Sequence, residues 1–145
     1  LIRAEAYILQ KEYDKALADL QVWVNNTING PYTLTKEAIE NWVDSYQYYT
    51  PNAPTPKKKL NPEFAIEEGQ QEAYLQFLLY ARRYETMFSG LRWFDIKRYG
   101  IEIYRRTMQS GQPVSIGDML KVRDNRCALQ IPPDVISAGI TPNPR

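Results

Sequence analysis

Apolar and small residues at the start of the chain recur at helical spacing. They lie three, nine, four and three positions apart, at Ala4, Tyr7, Ala16, Leu20 and Trp23. This is the spacing of a tetratricopeptide repeat, in which small alanines let two antiparallel helices approach closely while larger side chains fill the groove between them. The pattern predicts a repeat-like helix pair over residues 1–27, with its turn at Gln10-Lys11-Glu12.

The helical pattern is already under way at Leu1, with no capping residue or signal peptide before it. We therefore expect the chain to be a C-terminal fragment that begins within a helix. Because a single repeat unit is stable only within a stack, we also expect partner repeats on its N-terminal side.

A shorter helix is predicted in the segment 28–69. Thr35 is a suitable N-cap, and the apolar stripe after it recurs every three to four residues, at Ile39, Trp42, Val43 and Tyr46. Beyond the stripe, Tyr48 and Tyr49 run into a proline-rich loop over 51–56, where exposure of their rings is expected. The segment is interpreted as an aromatic and proline-rich insertion.

This insertion contains the candidate ligand site. The C–H face of a sugar packs on an aromatic ring, while nearby polar side chains bond to its hydroxyls. The candidate ligand-binding residues are Trp42, Tyr46, Gln47, Tyr48, Tyr49 and Asn52. The alternative is that these aromatic side chains fill the grooves between helices, since aromatic residues are intermediate in burial.

The segment 70–109 predicts two helices that meet at a glycine. From Gln70 to Phe88, apolar residues repeat at three and four positions, and Gly90 ends or interrupts that helix. A second helical stretch follows, and Gly100 stands where a glycine commonly follows the last turn of a helix.

The remaining segment, 110–145, is interpreted as a tail that wraps the helical body. Ser110-Gly111-Gln112-Pro113 predicts a turn, and the residues from Asp118 to Asp124 predict one short strand or helix. From Ile131 onward, prolines and glycines are expected to exclude regular helix.

Composition narrows the possible functions. The 18 Lys and Arg nearly balance the 17 Asp and Glu, leaving a net charge of +1, so no long-range field would gather nucleic acid. Histidine is absent and Cys127 is the single cysteine. A Ser-His-Asp triad, a Cys-His dyad or a Cys/His zinc site therefore cannot be assembled, and we predict no catalytic residue and no metal ligand.

One segment is specific enough to indicate a family. The residues from Arg82 to Gly100 read RRYETMFSGLRWFDIKRYG. They are similar to the signature near the C-terminus of SusD/RagB proteins, which runs through arginines, a glutamate, an apolar pair and Glu-Gly to Arg-Trp-x-Asp-x-x-Arg and an aromatic-Gly. The chain departs from this signature at Ala81 and Ser89, where the family usually carries glutamates.

The end of the chain supports the same resemblance. Leu129–Ile136 and Thr141–Pro144 resemble the family's closing Leu-Pro-Ile-Pro and Asn-Pro elements, with Gln130 in place of the first proline. The resemblance and the helical patterns together imply an all-α fold, a SusD-like α-α superhelix of repeat-like helix pairs joined by long loops.

The resemblance also implies a function. Such proteins are outer-membrane lipoproteins on the extracellular face, where they cover a TonB-dependent (SusC-like) transporter and bind an oligosaccharide or another nutrient without chemistry. No cofactor and no nucleic acid are implied. The lipid anchor would lie N-terminal to this chain and would be its only attachment to the membrane.

Two alternatives remain. One is a repeat-type adaptor whose ligand is a protein. The other is a glycosidase with Glu85 and Asp95 as its paired carboxylates, although flanking arginines would keep both ionised when one must donate a proton. We expect Arg82–Glu85 and Arg92–Asp95 to be ion pairs that stabilise helices, and Trp93 to anchor the core.

Overall fold

The computed structural model describes residues 1–144. Within that range the chain forms six α-helices, a β-hairpin and a short 3-10 turn at Asn125–Cys127. The helices are α1 (Ile2–Leu9), α2 (Tyr13–Thr27), α3 (Lys36–Asp44), α4 (Gln70–Glu85), α5 (Arg92–Arg98) and α6 (Pro133–Ser137). The strands are β1 (Ile103–Gln109) and β2 (Gln112–Leu120). None of the helices in this range is long and apolar enough to cross a membrane.

The helix pair predicted over the first 27 residues is confirmed. Helices α1 and α2 pack together across a turn in which Lys11 has a φ of 62°. The small residues Ala4 and Ala16 and the larger Leu20 are fully buried between them. The small side chains of Ala4 and Ala16 therefore allow the two helices to approach closely.

Helix α3 begins where its cap predicts. The Thr35 side chain accepts a hydrogen bond from the Ala38 N–H at 3.1 Å, which satisfies one of the free N–H groups of the first turn. Ile39 and Val43 are buried, and α3 packs on α4. The helix ends at Asp44, so Tyr46 follows it instead of continuing its stripe.

Helix α4 is the central element of the core. It packs on both α1 and α3, and it contributes buried side chains from several sides of the helix, at Ala73, Tyr74, Leu75, Leu78, Leu79 and Ala81. It ends at Glu85, three residues earlier than its apolar pattern predicts. Phe88 is fully exposed in the turn that follows, with a φ of 65°.

The glycine predicted to close the next helix is confirmed. Gly100 has a φ of +56°, its N–H reaches the Lys97 carbonyl, and the Ile101 N–H donates to the Ile96 carbonyl at 3.0 Å. These two bonds form a Schellman motif, which satisfies the last carbonyls of α5. Trp93 on α5 is only half-buried and lies outside the buried apolar cluster of the described residues. The prediction that Trp93 anchors the core is therefore wrong.

The predicted all-α fold is wrong, because residues 103–120 form an antiparallel hairpin. The turn residues Ser110 and Gly111 both have positive φ, 51° and 77°, as a type I′ turn requires. Gln109 pairs with Gln112 across the turn, and the register continues to Ile103 opposite Leu120. The protein is a mixed α/β structure containing one repeat-like helix pair, and it is not an α-α superhelix.

The tail contacts the helical body at the end of α5. Arg123 donates to Glu63 in the loop before α4 at 3.0 Å, and Asn143 lines an open groove of about 440 Å³ together with the Gly100 turn. Gln130 Oε1 accepts the Asn143 N–H at 3.0 Å, which joins the two closing sequence elements. The prediction that regular helix is excluded after Ile131 is wrong, because Pro133 is the first residue of α6, where its missing N–H costs nothing.

Candidate ligand-binding groove

An open groove of about 640 Å³ lies beside the C-terminal half of α4. We call it the α4 groove. It is bounded by the proline-rich loop, by α4 and α5, and by the chain that enters β1. The side chains that give it chemical character are Tyr49, Lys58, Tyr80, Arg83, Tyr84, Arg92, Glu102 and Arg106.

The hairpin holds the proline-rich loop in place through one arginine. Arg106 on β1 donates to the Pro51 carbonyl at 2.7 Å, to the Thr50 carbonyl at 2.9 Å and to the Tyr49 hydroxyl. The other end of the loop is held on α4, where the Gln76 side chain exchanges two hydrogen bonds with the Lys58 backbone. This wall of the groove is therefore fixed to two different elements.

Tyr49 lines the groove, but its ring is already in contact with protein. It stacks on Tyr104 with ring centroids 5.7 Å apart, and Lys58 Nζ lies 3.1 Å from its centroid. The Arg106 guanidinium lies 4.7 Å from the same centroid. These contacts make Tyr49 a half-buried support for two cations rather than an open aromatic platform.

The open aromatic surface of the groove comes from α4. Tyr80 and Tyr84 are one helical turn apart, and they are 41% and 56% exposed. Each ring is also supported from behind, since Tyr80 packs on Trp42 with centroids 4.8 Å apart and Tyr84 meets Trp23 edge-on at 6.4 Å. Two exposed rings are thus held in position along one side of the groove.

Lys58 is the most perturbed cation of the groove. Its pKa is lowered to about 7, first by burial and then by the positive charges of Arg83, Arg92 and Arg106. Its ammonium donates to the neutral Thr55 carbonyl at 2.8 Å. The groove therefore holds several basic side chains close together. The carbonyl and aromatic groups around Lys58 carry no negative charge to neutralise them.

The predicted site residues do not converge on one surface. Trp42 packs in edge contacts with Tyr46 and Phe77, and it lies behind Tyr80. Tyr48 lies outside the α4 groove, where its hydroxyl donates to Glu72 at 2.7 Å and Lys57 Nζ sits 4.8 Å from its ring centroid. Of the six predicted residues, Tyr49 lines the groove.

The two predicted polar partners, Gln47 and Asn52, are both exposed, and neither lines the α4 groove. The Gln47 carbonyl accepts a hydrogen bond from Thr55 at 2.7 Å, and Asn52 lies in the turn of the loop. Tyr80, Arg83 and Tyr84 were not among the predicted ligand residues, because the helical repeat over Gln70–Phe88 does not show which side chains face outward. The signal that could have revealed them is that apolar residues surround α4, so some of them must face outward.

A buried ionic cluster joins α1, α4 and α5 next to this site. Arg82 donates to Glu5 Oε2 and to Asp95 Oδ1, both at 2.6 Å, while Arg98 donates to Glu5 Oε1 at 3.0 Å. The Tyr99 hydroxyl also donates to Glu5. Burial raises the pKa of Glu5, but hydrogen bonds from Tyr99 and Arg82 and the charges of both arginines outweigh it, so the pKa lies below its ordinary value.

The cluster corrects one predicted ion pair. Arg82 pairs with Glu5 and Asp95 instead of Glu85, whose carboxylate accepts the Trp23 indole N–H at 3.2 Å. The predicted Arg92–Asp95 pair does form, at 3.6 Å. Five residues of the signature, Arg82, Arg92, Asp95, Arg98 and Tyr99, therefore take part in the cluster that joins three helices.

No protein-family model matches the chain, and neither a curated protein nor a solved structure shows significant similarity to it. The resemblance to SusD/RagB proteins therefore stays a prediction from the sequence.

Proposed function

We propose that this protein binds an oligosaccharide in the α4 groove without catalysing a reaction on it. The observation that carries the proposal is the pair of supported, exposed rings of Tyr80 and Tyr84 in a groove with many hydrogen-bond donors. Aromatic rings offer a flat apolar surface to the C–H face of a sugar, and charged or amide groups bond to its hydroxyls.

The spacing of the two rings suits a chain of sugars. Residues four apart on a helix are separated by about 6 Å along its axis. Neighbouring sugar residues can therefore each contact one ring. Arg83 lies between the two tyrosines in sequence and lines the same groove, so its guanidinium can donate to hydroxyls or to charged substituents.

The setting we propose is the outer face of an outer membrane, next to a TonB-dependent transporter. This part of the proposal rests on the resemblance of Arg82–Gly100 and of the two closing elements to SusD/RagB proteins. In that setting the groove captures the sugar and the transporter imports it.

We expect the Tyr84→Ala variant to bind oligosaccharides about three- to tenfold more weakly, because it removes one of the two open stacking surfaces. The measurement is calorimetric titration against a panel of oligosaccharides. Tyr32→Ala is the matched control, since Tyr32 is 47% exposed and lies outside the groove.

The same titrations test the site predicted from the sequence. A loss of binding in Tyr48→Ala, with Tyr84→Ala unchanged, would move the ligand to the insertion and reject the α4 groove. No binding to any oligosaccharide by a protein with a normal circular dichroism spectrum would reject the proposed function.

A protein-binding adaptor is the second candidate, and one observation favours it. A second groove, of about 870 Å³, lies between α1, α2 and the start of α5. It carries the exposed apolar side chains Ile2, Val22 and Phe94, which are 83%, 59% and 63% exposed. Exposed apolar surface of this kind is typical of protein contacts.

Under this alternative, the Phe94→Ser variant is expected to impair binding of a partner protein and to leave sugar binding unchanged.

A further inference from the structure

We propose that the ligand of the α4 groove is an acidic oligosaccharide, one that carries carboxylate or sulfate groups. This inference rests on the proposed function and names the class of sugar. The oxyanion would sit among Lys58, Arg83, Arg92 and Arg106, while the apolar face of the sugar packs on Tyr80 and Tyr84.

The charges of the groove are unbalanced. Among the described residues that line it, four are cationic and one, Glu102, is acidic. The Glu102 carboxylate accepts the Tyr104 hydroxyl at 2.6 Å. Because the whole chain has a net charge of only +1, this concentration of positive charge is local to the groove.

Two of the four groove cations, Lys58 and Arg106, are bound to neutral groups. Arg106 donates to two carbonyls and a tyrosine hydroxyl, and Lys58 donates to a carbonyl. Arg83 makes no ion pair with any residue in the range 1–144, and its side chain is exposed. Such charges are available to an oxyanion, for which guanidinium groups supply paired donors.

Arg92 shares its carboxylate with a stronger partner. Asp95 is 2.6 Å from Arg82 and 3.6 Å from Arg92, and the buried Arg92 Nη1 has no hydrogen-bond partner among the residues described. In the ionic cluster, Arg82, Arg92 and Arg98 face two carboxylates, those of Glu5 and Asp95. Arg92 is the arginine of this cluster that lines the groove, and its ion pair is the longest of the cluster.

The cations also repel one another in the free protein. Arg83, Arg92 and Arg106 lower the pKa of Lys58 beyond the effect of burial. A bound oxyanion offsets this repulsion and raises the pKa again. Binding is therefore coupled to uptake of a proton by Lys58, whereas an uncharged sugar would bind with no such coupling.

The test compares sugars that differ only in charge. The probes are an oligogalacturonate and its methyl ester, and a sulfated galactan oligosaccharide and its desulfated form, each titrated by calorimetry. We expect at least one acidic form to bind about tenfold or more tightly than its neutral partner, as hydrogen bonds to charged groups imply. If only the galacturonate pair shows this difference, the oxyanion is a carboxylate. If only the galactan pair shows it, the oxyanion is a sulfate.

A matched pair of variants tests whether the acidic group of the sugar binds in the α4 groove. Arg83→Gln removes an exposed groove cation without breaking an ion pair of the described chain, and we expect a loss of about tenfold for the acidic sugar. Arg105→Gln on β1 is the control, since Arg105 is also exposed and lies outside the groove. Equal effects of the two variants would overturn the assignment of the oxyanion to this groove.

The affinity for the acidic sugar should also depend on pH. It is expected to fall as pH rises from 6 to 9, by at most about tenfold per pH unit, because binding takes up a proton. Lys58→Met should abolish this dependence, since the backbone bonds of residue 58 to Gln76 are kept. The charged and titratable groups that line the groove and the smaller pockets around Lys58 are Tyr49, Lys59, Tyr80, Arg83, Tyr84, Arg92, Glu102, Tyr104 and Arg106.

The outcomes separate this inference from the proposed function. Equal binding of acidic and neutral sugars, weakened by Tyr84→Ala, would overturn the charge preference and keep the sugar site. Equal binding of polyglutamate and the acidic sugar would overturn recognition of a sugar. Failure of every probe to bind the folded protein would overturn both proposals.

Discussion

Replacing Gly100 by alanine is expected to lower the free energy of unfolding by about 3–5 kcal/mol, from the strain of a positive φ together with a steric overlap. Gly100 has a φ of +56°, and a Cβ there would lie 2.2 Å from the Asn61 carbonyl oxygen and 2.8 Å from its carbon. These are backbone atoms, so no side-chain rotation relieves the overlap.

The two backbones are held together at this point. The Asn61 N–H donates to the Tyr99 carbonyl at 2.8 Å, and the Asn61 side chain donates to the Gly100 carbonyl at 3.2 Å. Moving these two backbone segments apart would break both bonds and open the turn that leads from α5 to the hairpin. The measurement is urea denaturation followed by circular dichroism.

Gly90→Ala is the matched control for Gly100→Ala. Gly90 has a φ of +77° but nothing within 4 Å of its Cβ position. Its substitution should therefore cost about 1–2 kcal/mol, from backbone strain alone. Equal losses in the two variants would show that the close approach to Asn61 contributes nothing.

Replacing Arg82 by methionine is expected to destabilise the protein by about 3–5 kcal/mol, because it removes the closest cationic partner of two nearly buried carboxylates. Arg82 bridges Glu5 on α1 and Asp95 on α5, at 2.6 Å from each. Both carboxylate side chains are nearly buried, at 12% and 4% exposed. The measurement is again the free energy of unfolding in urea.

The control for Arg82→Met is Arg3→Met. Arg3 also makes two short bonds to a carboxylate, that of Asp19, but its side chain is 74% exposed. Water solvates such a pair, so its loss should cost far less than the loss of Arg82. A similar loss in both variants would contradict a special contribution from the buried cluster.

The pH dependence gives the Arg82 prediction a definite sign. In the native protein the pKa of Glu5 is below its ordinary value of 4.5, so its contribution to stability is present above that value and is lost as pH falls through the folded pKa. Without Arg82, a hydrogen bond and a charge that lower the pKa of Glu5 are lost, so its protonation costs the variant less than it costs the native protein. The difference between the two proteins should therefore shrink as the pH falls below 4.5.

Several elements could be predicted from the sequence because their signals are local. The helix pair at the N-terminus, the Thr35 cap and the Gly100 turn each depend on residues within one or two helical turns. The hairpin carried a local signal too, in Ser110-Gly111, but recognition as a hairpin requires pairing of two whole flanking segments.

The candidate site could not be predicted in the same way. Periodicity shows that α4 is apolar on more than one face, but it does not show which aromatic side chains the other elements cover. Trp42 on α3 packs on Phe77 and on one side of Tyr80, while Tyr80 and Tyr84 stay exposed to the groove.

The sequence by itself determined the first five helices, the Thr35 cap, the Gly100 turn and the absence of histidine chemistry, since these follow from local spacing and composition. Only the tertiary structure decided which charges meet. Lys58, Arg83, Arg92 and Arg106 come from a loop, two helices and a strand, and long-range packing brings them to one groove. The burial that lowers the pKa of Lys58 to about 7 likewise exists only in the folded chain.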